Sequence, residues 1–148
     1  KYYCTMNLDV PNKKNIVINY PNEGVAASYL ESNLFVETKN ESCTVENHSG
    51  SLEAHSTGGN IVSVLGIPDS GFCKCYSVSG NITIKIPIGS TANIHLKSTT
   101  GTVSFNNLAI NPSINTSKEI IGTLGIIDSS TPIIYLESTG GYVSLIGF

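Results

Sequence analysis

Apolar and polar residues alternate in short runs along this chain. Ile82-Thr83-Ile84-Lys85-Ile86 and Ala92-Asn93-Ile94-His95-Leu96-Lys97 place an apolar side chain at every second position. That is the period of a strand with one buried face. Ile16–Tyr20, Leu34–Thr38, Ser51–Ala54, Ile61–Val64 and Val143–Leu145 read the same way. No sustained helical period appears, and only Val25–Ser32 leaves room for one or two helical turns. The runs recur with a glycine: Gly59, Gly80, Gly101 and Gly122 are 21 residues apart, and Gly141 follows 19 later. Ser56, Ser77, Ser98 and Ser138 stand three positions before four of these glycines, and Glu119 holds that place before Gly122.

A fixed period of this length predicts stacked rungs, each burying its apolar face on the next. Aligned by their glycines, Leu52, Cys73 and Ile94 share one inward position and Ala54, Cys75 and Leu96 the next. The stretch Asn106–Ser117 lacks the apolar pair and predicts an irregular, looped rung. Gly50 opens a strand out of phase with the others. The expected fold is all-β, a β-solenoid or β-roll of about 21-residue rungs spanning residues 31–148, preceded by a non-repeating segment 1–30 that serves as a cap or donor strand. An antiparallel β-sandwich is the alternative, because turn signals at this spacing suit it too.

Composition narrows the function classes. The chain has 148 residues, 40% hydrophobic and 13% charged, with a net charge of −3. It has no arginine, and its lysines are scattered, which argues against a nucleic-acid partner. No apolar run is long enough for a membrane span. Low charge and four cysteines point to an exported, extracellular or cell-surface protein, and the opening Lys1-Tyr2-Tyr3-Cys4 reads as a mature form.

The cysteines are Cys4, Cys43, Cys73 and Cys75. Cys73 and Cys75 share a strand face at the edge of disulfide reach, so the expected bridges join Cys4 and Cys43 to them, in either order. Cys-Lys-Cys lacks the spacing of a zinc site, and no cofactor or metal is expected. His55 and His95 fall on the outward side of their strands. Asp69, Glu119 and Asp128 fall at predicted corners, with no sequence-paired acids to suggest hydrolysis. Neither a nucleophile elbow nor a phosphate loop is present. Asn40, Asn47, Asn81 and Asn115 head Asn-x-Ser/Thr sequons, and Asn115 lies in the predicted loop.

Ser56-Thr57-Gly58-Gly59-Asn60-Ile61, Ser77-Val78-Ser79-Gly80-Asn81-Ile82, Ile94-His95-Leu96-Lys97-Ser98-Thr99-Thr100-Gly101 and Pro132–Leu145 carry a resemblance across residues 34–148. They resemble the adhesin β-solenoid repeat family of bacterial and archaeal cell-surface proteins. The resemblance implies a solenoid and a surface role, and brings no catalytic residue. The chain departs from the family pattern in lacking an acid after the repeat glycine and in its four cysteines.

The chain closes on an apolar strand, Tyr142 to Phe148, and opens with a spare one, Asn15 to Tyr20. An open edge and a free strand could join head to tail. Ile16, Ile18, Tyr20, Val143, Leu145 and Phe148 are then the candidate strand-addition interface. The expected function is a non-enzymatic extracellular structural subunit, a homopolymeric filament or adhesin-type assembly whose partner is itself. The alternative is a monomeric surface module that binds glycans, with Tyr135 and Tyr142 outward.

Overall fold

The computed structural model describes residues 15–20 and 24–148, and every regular element among them is a strand. The chain lays down two strands per turn, one in each of two facing sheets. β1 (Ile16–Tyr20) and β2 (Val25–Ser28) form the first rung, β3 (Leu34–Thr38) and β4 (Cys43–His48) the second, and β5 (Leu52–Ser56) and β6 (Ile61–Leu65) the third. β7 (Phe72–Ser77) and β8 (Ile82–Ile86) form the fourth, and β9 (Ala92–Ser98) and β10 (Val103–Asn106) the fifth. A hairpin of β11 (Ile110–Asn115) and β12 (Glu119–Leu124) follows, and then a last rung of β13 (Ile133–Ser138) and β14 (Val143–Gly147).

In spatial order β1-β3-β5-β7-β13-β9-β12-β11 make an eight-stranded sheet, and β10-β14-β8-β6-β4-β2 a six-stranded one. All rung-to-rung pairs are parallel, as in a β-solenoid. Antiparallel pairing is confined to β9–β12 and β11–β12.

The inward columns follow from the alternation. Leu34, Leu52, Cys73, Ile134 and Ile94 stack in register, and Val36, Ala54, Cys75, Leu136 and Leu96 stack beside them. All ten are 0–2% exposed. Cys43, Ile61, Ile82 and Val143 face them from the other sheet. Each large aliphatic side chain so buried contributes roughly 1.5–3 kcal/mol.

The glycines mark the corners between the two sheets. A Cβ on Gly80 would lie 2.0 Å from the Gly59 carbonyl oxygen, one on Gly141 2.1 Å from that of Gly80, and one on Gly101 2.2 Å from that of Gly141. The corners therefore stack backbone on backbone, with no room for a side chain. The preceding serine turns inward, and at three of the corners its hydroxyl bonds the backbone, whereas Ser56 Oγ finds no partner among the described residues. Ser77 Oγ accepts the Gly80 N–H at 2.9 Å. Ser138 Oγ accepts the Gly141 N–H at 2.8 Å and donates to the Gly80 carbonyl at 3.0 Å. Ser98 Oγ donates to the Gly141 carbonyl at 2.7 Å.

The structure corrects three expectations. First, β1 and β2 belong to the ladder: Ile16 pairs with Leu34 and Val25 with Cys43. The early rungs repeat at 18 residues, as Ile16, Leu34 and Leu52 show, so they miss the 21-residue glycine phase. The corner 66–71 between β6 and β7 is longer than 49–51 between β4 and β5, and that insertion changes the period. Val25–Ser28, open in sequence between a helical turn and a lead into the next strand, is itself a strand.

Second, Gly122 is no corner. It lies inside β12, opposite Ile94 on one side and Pro112 on the other. The looped stretch before it holds the ordered strand β11. Third, the C-terminal strand is not an open end. β14 pairs with β8 on one side and β10 on the other, and β13 lies between β7 and β9. The last rung is thus inserted between the fourth and the fifth.

The terminal position belongs to the hairpin, which caps the eight-stranded sheet. Lys118 donates to the carbonyls of Thr100, at 2.6 Å, and Gly101. These are the corner oxygens that no further rung covers. β11 is exposed along most of its length and carries Pro112 at an irregularity in register, features that blunt an edge against further pairing.

Corner stacking makes the glycines unequal. Gly80→Ala is expected to cost about 3 kcal/mol or unfold the chain, because backbone must move to admit the Cβ. Gly89→Ala, with nothing within 4 Å, is expected to be neutral or to stabilise by up to about 1 kcal/mol. Urea unfolding of the two variants checks the contrast.

Candidate functional site

The outward face of the eight-stranded sheet carries a row of aromatic and ionisable side chains. Five neighbouring strands contribute one ring each: Phe35 from β3, His55 from β5, Tyr76 from β7, Tyr135 from β13 and His95 from β9. Ring centroids are 5.5 Å apart for Phe35–His55, 4.8 Å for His55–Tyr76, 5.5 Å for Tyr76–Tyr135 and 4.8 Å for Tyr135–His95. Parallel strands lie about 4.8 Å apart, so the register partners His55–Tyr76 and Tyr135–His95 fall into ring contact, while Phe35–His55 and Tyr76–Tyr135 meet diagonally, two residues out of register. The first three pairs are tilted by 33–41° and the last is edge-on. The rings lean on one another along the row.

Carboxylates hold the rings' polar tips. Glu53 bonds His55 Nε2 at 2.9 Å, and Glu119 bonds His95 Nε2 at 2.8 Å. Tyr135 Oη donates to Glu137 at 2.7 Å, and Lys97 Nζ lies 3.1 Å from the same carboxylate. Partial burial pushes the Tyr135 hydroxyl up to about 12, and the hydrogen bond to Glu137 adds to the shift. The same bond, and then Lys97, lowers Glu137 below the usual carboxylate range. Tyr76 is raised as well, by burial first and then by Glu53 and Glu137. At neutral pH the row therefore offers protonated tyrosines beside ionised acids.

Past His95 the row opens into a cleft of about 440 Å³ against the cap hairpin. Asn93, His95, Asn111, Ile121, Thr123 and Ile133 line it. Amide, hydroxyl and imidazole groups there supply both donors and acceptors around two aliphatic patches. Among the described residues no group of three potential ligands is placed to hold a metal ion.

Other expected sites fall elsewhere. Cys43, Cys73 and Cys75 are free, buried thiols. The bridges expected from Cys43 are not formed, because all three fill apolar core columns as small hydrophobes. Cys73 and Cys75 Sγ stand 3.9 Å apart, about twice a disulfide bond length. Cys4 lies outside the described residues. Asn40, Asn47, Asn81 and Asn115 are all exposed. The Asn81 side-chain oxygen accepts the Tyr142 N–H at 2.8 Å, tying that sequon to a corner.

Ile16 and Ile18 face the core from β1, which pairs with β3 in its own chain, and Tyr20 closes that strand. Val143 and Leu145 are fully buried inside β14. Phe148 is exposed, and its backbone exchanges hydrogen bonds with Ile86 and Ile88. Tyr135 lies in the ring row, whereas Tyr142 is exposed at the corner after Gly141 and lies outside it. Asp69 and Asp128 are at corners as expected, but Glu119 starts β12 beside His95.

Sequence reasoning missed Phe35, His55 and Tyr76 as partners of Tyr135. The missing information was the order of the rungs: without β13 between β7 and β9, Tyr76 and Tyr135 are not neighbours. It also missed His48, which is 1% exposed. Asn47, at φ 51°, supplies the extra residue of a bulge in β4, and the bulge turns His48 inward beside Leu65.

His48 makes one contact of 3.2 Å, to the Ser51 carbonyl, and its Nδ1 has no partner among the described residues. Burial lowers its pKa, so the folded state holds it neutral while the unfolded chain takes up the proton near 6.5. Stability is then complete above that pH and falls as pH drops through it toward the folded-state pKa, by up to about 1.4 kcal/mol per pH unit for one proton. Thermal unfolding from pH 8 to 5 should show a steeper acid decline in the native protein than in His48→Leu; equal slopes would contradict this. Burial also pushes Cys43 up to about 12, and a contact with Cys73 followed by burial raises Cys75. Alkylation read by mass spectrometry should leave Cys43, Cys73 and Cys75 unmodified until denaturant is added.

Comparison of the chain with family models, with curated proteins and with solved structures returns no match.

Proposed function

We propose that this protein is a non-enzymatic surface module that binds a glycan chain along the outward face of its eight-stranded sheet. The observation that carries the proposal is the continuous ring row Phe35–His55–Tyr76–Tyr135–His95, edged by Glu53, Glu119 and Glu137 and ending at the cleft. The ligand class follows from how the rings stand. Each ring leans on its neighbour, and the row offers a ligand tyrosine hydroxyls, imidazole nitrogens and carboxylate oxygens. A carboxylate has about four acceptor positions, and each of these acids retains free ones for sugar hydroxyls. A polyhydroxylated chain lying across the strands would meet a polar group every strand spacing.

The chemistry is less suited to anionic ligands. Net charge is −3, and the lysines next to the row are committed: Lys97 to Glu137 and Lys74 to the Phe72 ring, at 5.0 Å. An extracellular or cell-surface location fits the low charge and the adhesin-family resemblance of residues 34–148. Within the single chain β14 has neighbours on both sides, so its edges are not the open ones a head-to-tail filament would use.

A glycan array screen followed by calorimetric titration tests the proposal. Saturable binding to a neutral or amino-sugar chain is expected, and Tyr76→Ala and Tyr135→Ala should each weaken it at least about tenfold, the 1.4 kcal/mol scale of a lost polar contact. Circular dichroism should show both variants folded. Absence of any glycan ligand, or full affinity in both variants, would contradict the proposal.

A further inference from the structure

The inserted C-terminal rung has a consequence for assembly. The two walls of its slot come from one continuous stretch, β7–β8–β9–β10, and the 87–91 connection already steps from the fourth rung to the fifth across the gap. Left empty, the slot presents strand edges on both sides in both sheets: β7 and β9 facing one another in one, β8 and β10 in the other. It also exposes the apolar columns that Ile134, Leu136, Val143 and Leu145 now cover, all 0% exposed in the filled state. Unpaired edges of this kind recruit strands.

The segment that fills the slot is tethered by residues 125–132, which belong to neither sheet. The tether leaves β12 on one side of β9 and delivers β13 to the other. Gly125 at its start has φ 71°. Ile126 and Ile127 are 90% and 50% exposed, two adjacent apolar side chains that the single chain leaves in water. Ser70 N–H to the Ser130 carbonyl, at 2.6 Å, holds the tether to a corner of the ladder. Extended, eight residues reach up to about 27 Å, far enough to carry the rung into a neighbouring molecule.

We propose that the C-terminal rung, residues 132–148, is exchanged between copies of this chain, so that β13 and β14 of one molecule fill the slot between the fourth and fifth rungs of another. Reciprocal exchange gives a closed dimer, and sequential exchange an open chain. No new contact surface is required, because the strand pairing and buried side chains of β13 and β14 are reproduced between molecules. Tyr135 of the second copy then completes the ring row of the first. Each assembly carries several such rows, which would multiply binding to a repeating ligand. The rung follows in sequence the strands that wall its slot, so unfolded or newly made chains at high concentration are the state in which exchange competes with self-insertion.

Ser104 and Ser144 provide the test. They are register partners on β10 and β14 with their hydroxyls 3.4 Å apart, within disulfide reach as cysteines. The full chain carrying Ser104→Cys, Ser144→Cys and Cys4→Ser is unfolded, refolded dilute or concentrated, and then oxidised. Exchange predicts a 104–144 disulfide within one chain after dilute refolding. After concentrated refolding the same disulfide should join two chains, as dimers or longer ladders on a non-reducing gel that collapse on reduction. Only intrachain disulfide at every concentration would overturn the proposal. Should this variant fail to fold, the native protein refolded at high concentration is read by size-exclusion light scattering after dilution. Dimers that persist and convert slowly to monomer support exchange, and monomer alone overturns it.

Discussion

The contact on which the structure depends is the one between corner backbones, where the carbonyl of one glycine occupies the space that a Cβ of the next would need. Two strands and a turn cannot hide their apolar face alone. They become stable only when the next rung approaches to the parallel-sheet spacing, and the glycine corner is where a side chain would prevent that approach. Serines at the inward position three residues earlier bond the corner: Ser77 accepts the glycine N–H of its own rung, Ser98 donates to the carbonyl of the adjacent one, and Ser138 does both. With the spacing fixed at the corners, the inward columns pack and the outward rows fall into contact. The ring row therefore follows from the same approach that builds the core.

That dependence explains which features could be read from the sequence. Alternation in Ile82–Ile86 and Ala92–Lys97 located strands and their buried faces, and the glycine alignment put Cys73 on Leu52 and Cys75 on Ala54, as observed. Both inferences use only local periodicity and a repeated corner. The order of the rungs was not legible. Parallel pairing is satisfied equally well whichever compatible rung is adjacent, and Ile134 matches Cys73 on one side as readily as Ile94 on the other. The 18-residue rungs were hidden because the second corner carries Glu41 where Gly59 stands in the third. Gly122 kept the period by coincidence while serving a different need, the close approach of β11 at the Asn111 carbonyl.

The candidate face combines the two levels. Its residue types are ordinary outward strand positions in sequence, and their separation along the chain, from Phe35 to Tyr135, gives no sign of proximity. Only the insertion of β13 beside β7 and β9 joins Tyr76, Tyr135 and His95 into one row, and only the hairpin after β10 adds Glu119 and the cleft. The cysteines show the opposite case. Their number suggested disulfide bridges, whereas in the fold Cys43, Cys73 and Cys75 serve as small apolar members of the stacked columns.

The central claim is that the C-terminal rung is interior, completing both the core and the ring row. Hydrogen–deuterium exchange of the native protein tests it most directly. Amides of β13 and β14 should exchange as slowly as those of β7 and β8, and more slowly than those of the edge strands β10 and β11. A C-terminal segment that exchanges rapidly, as a frayed end does, would contradict the account.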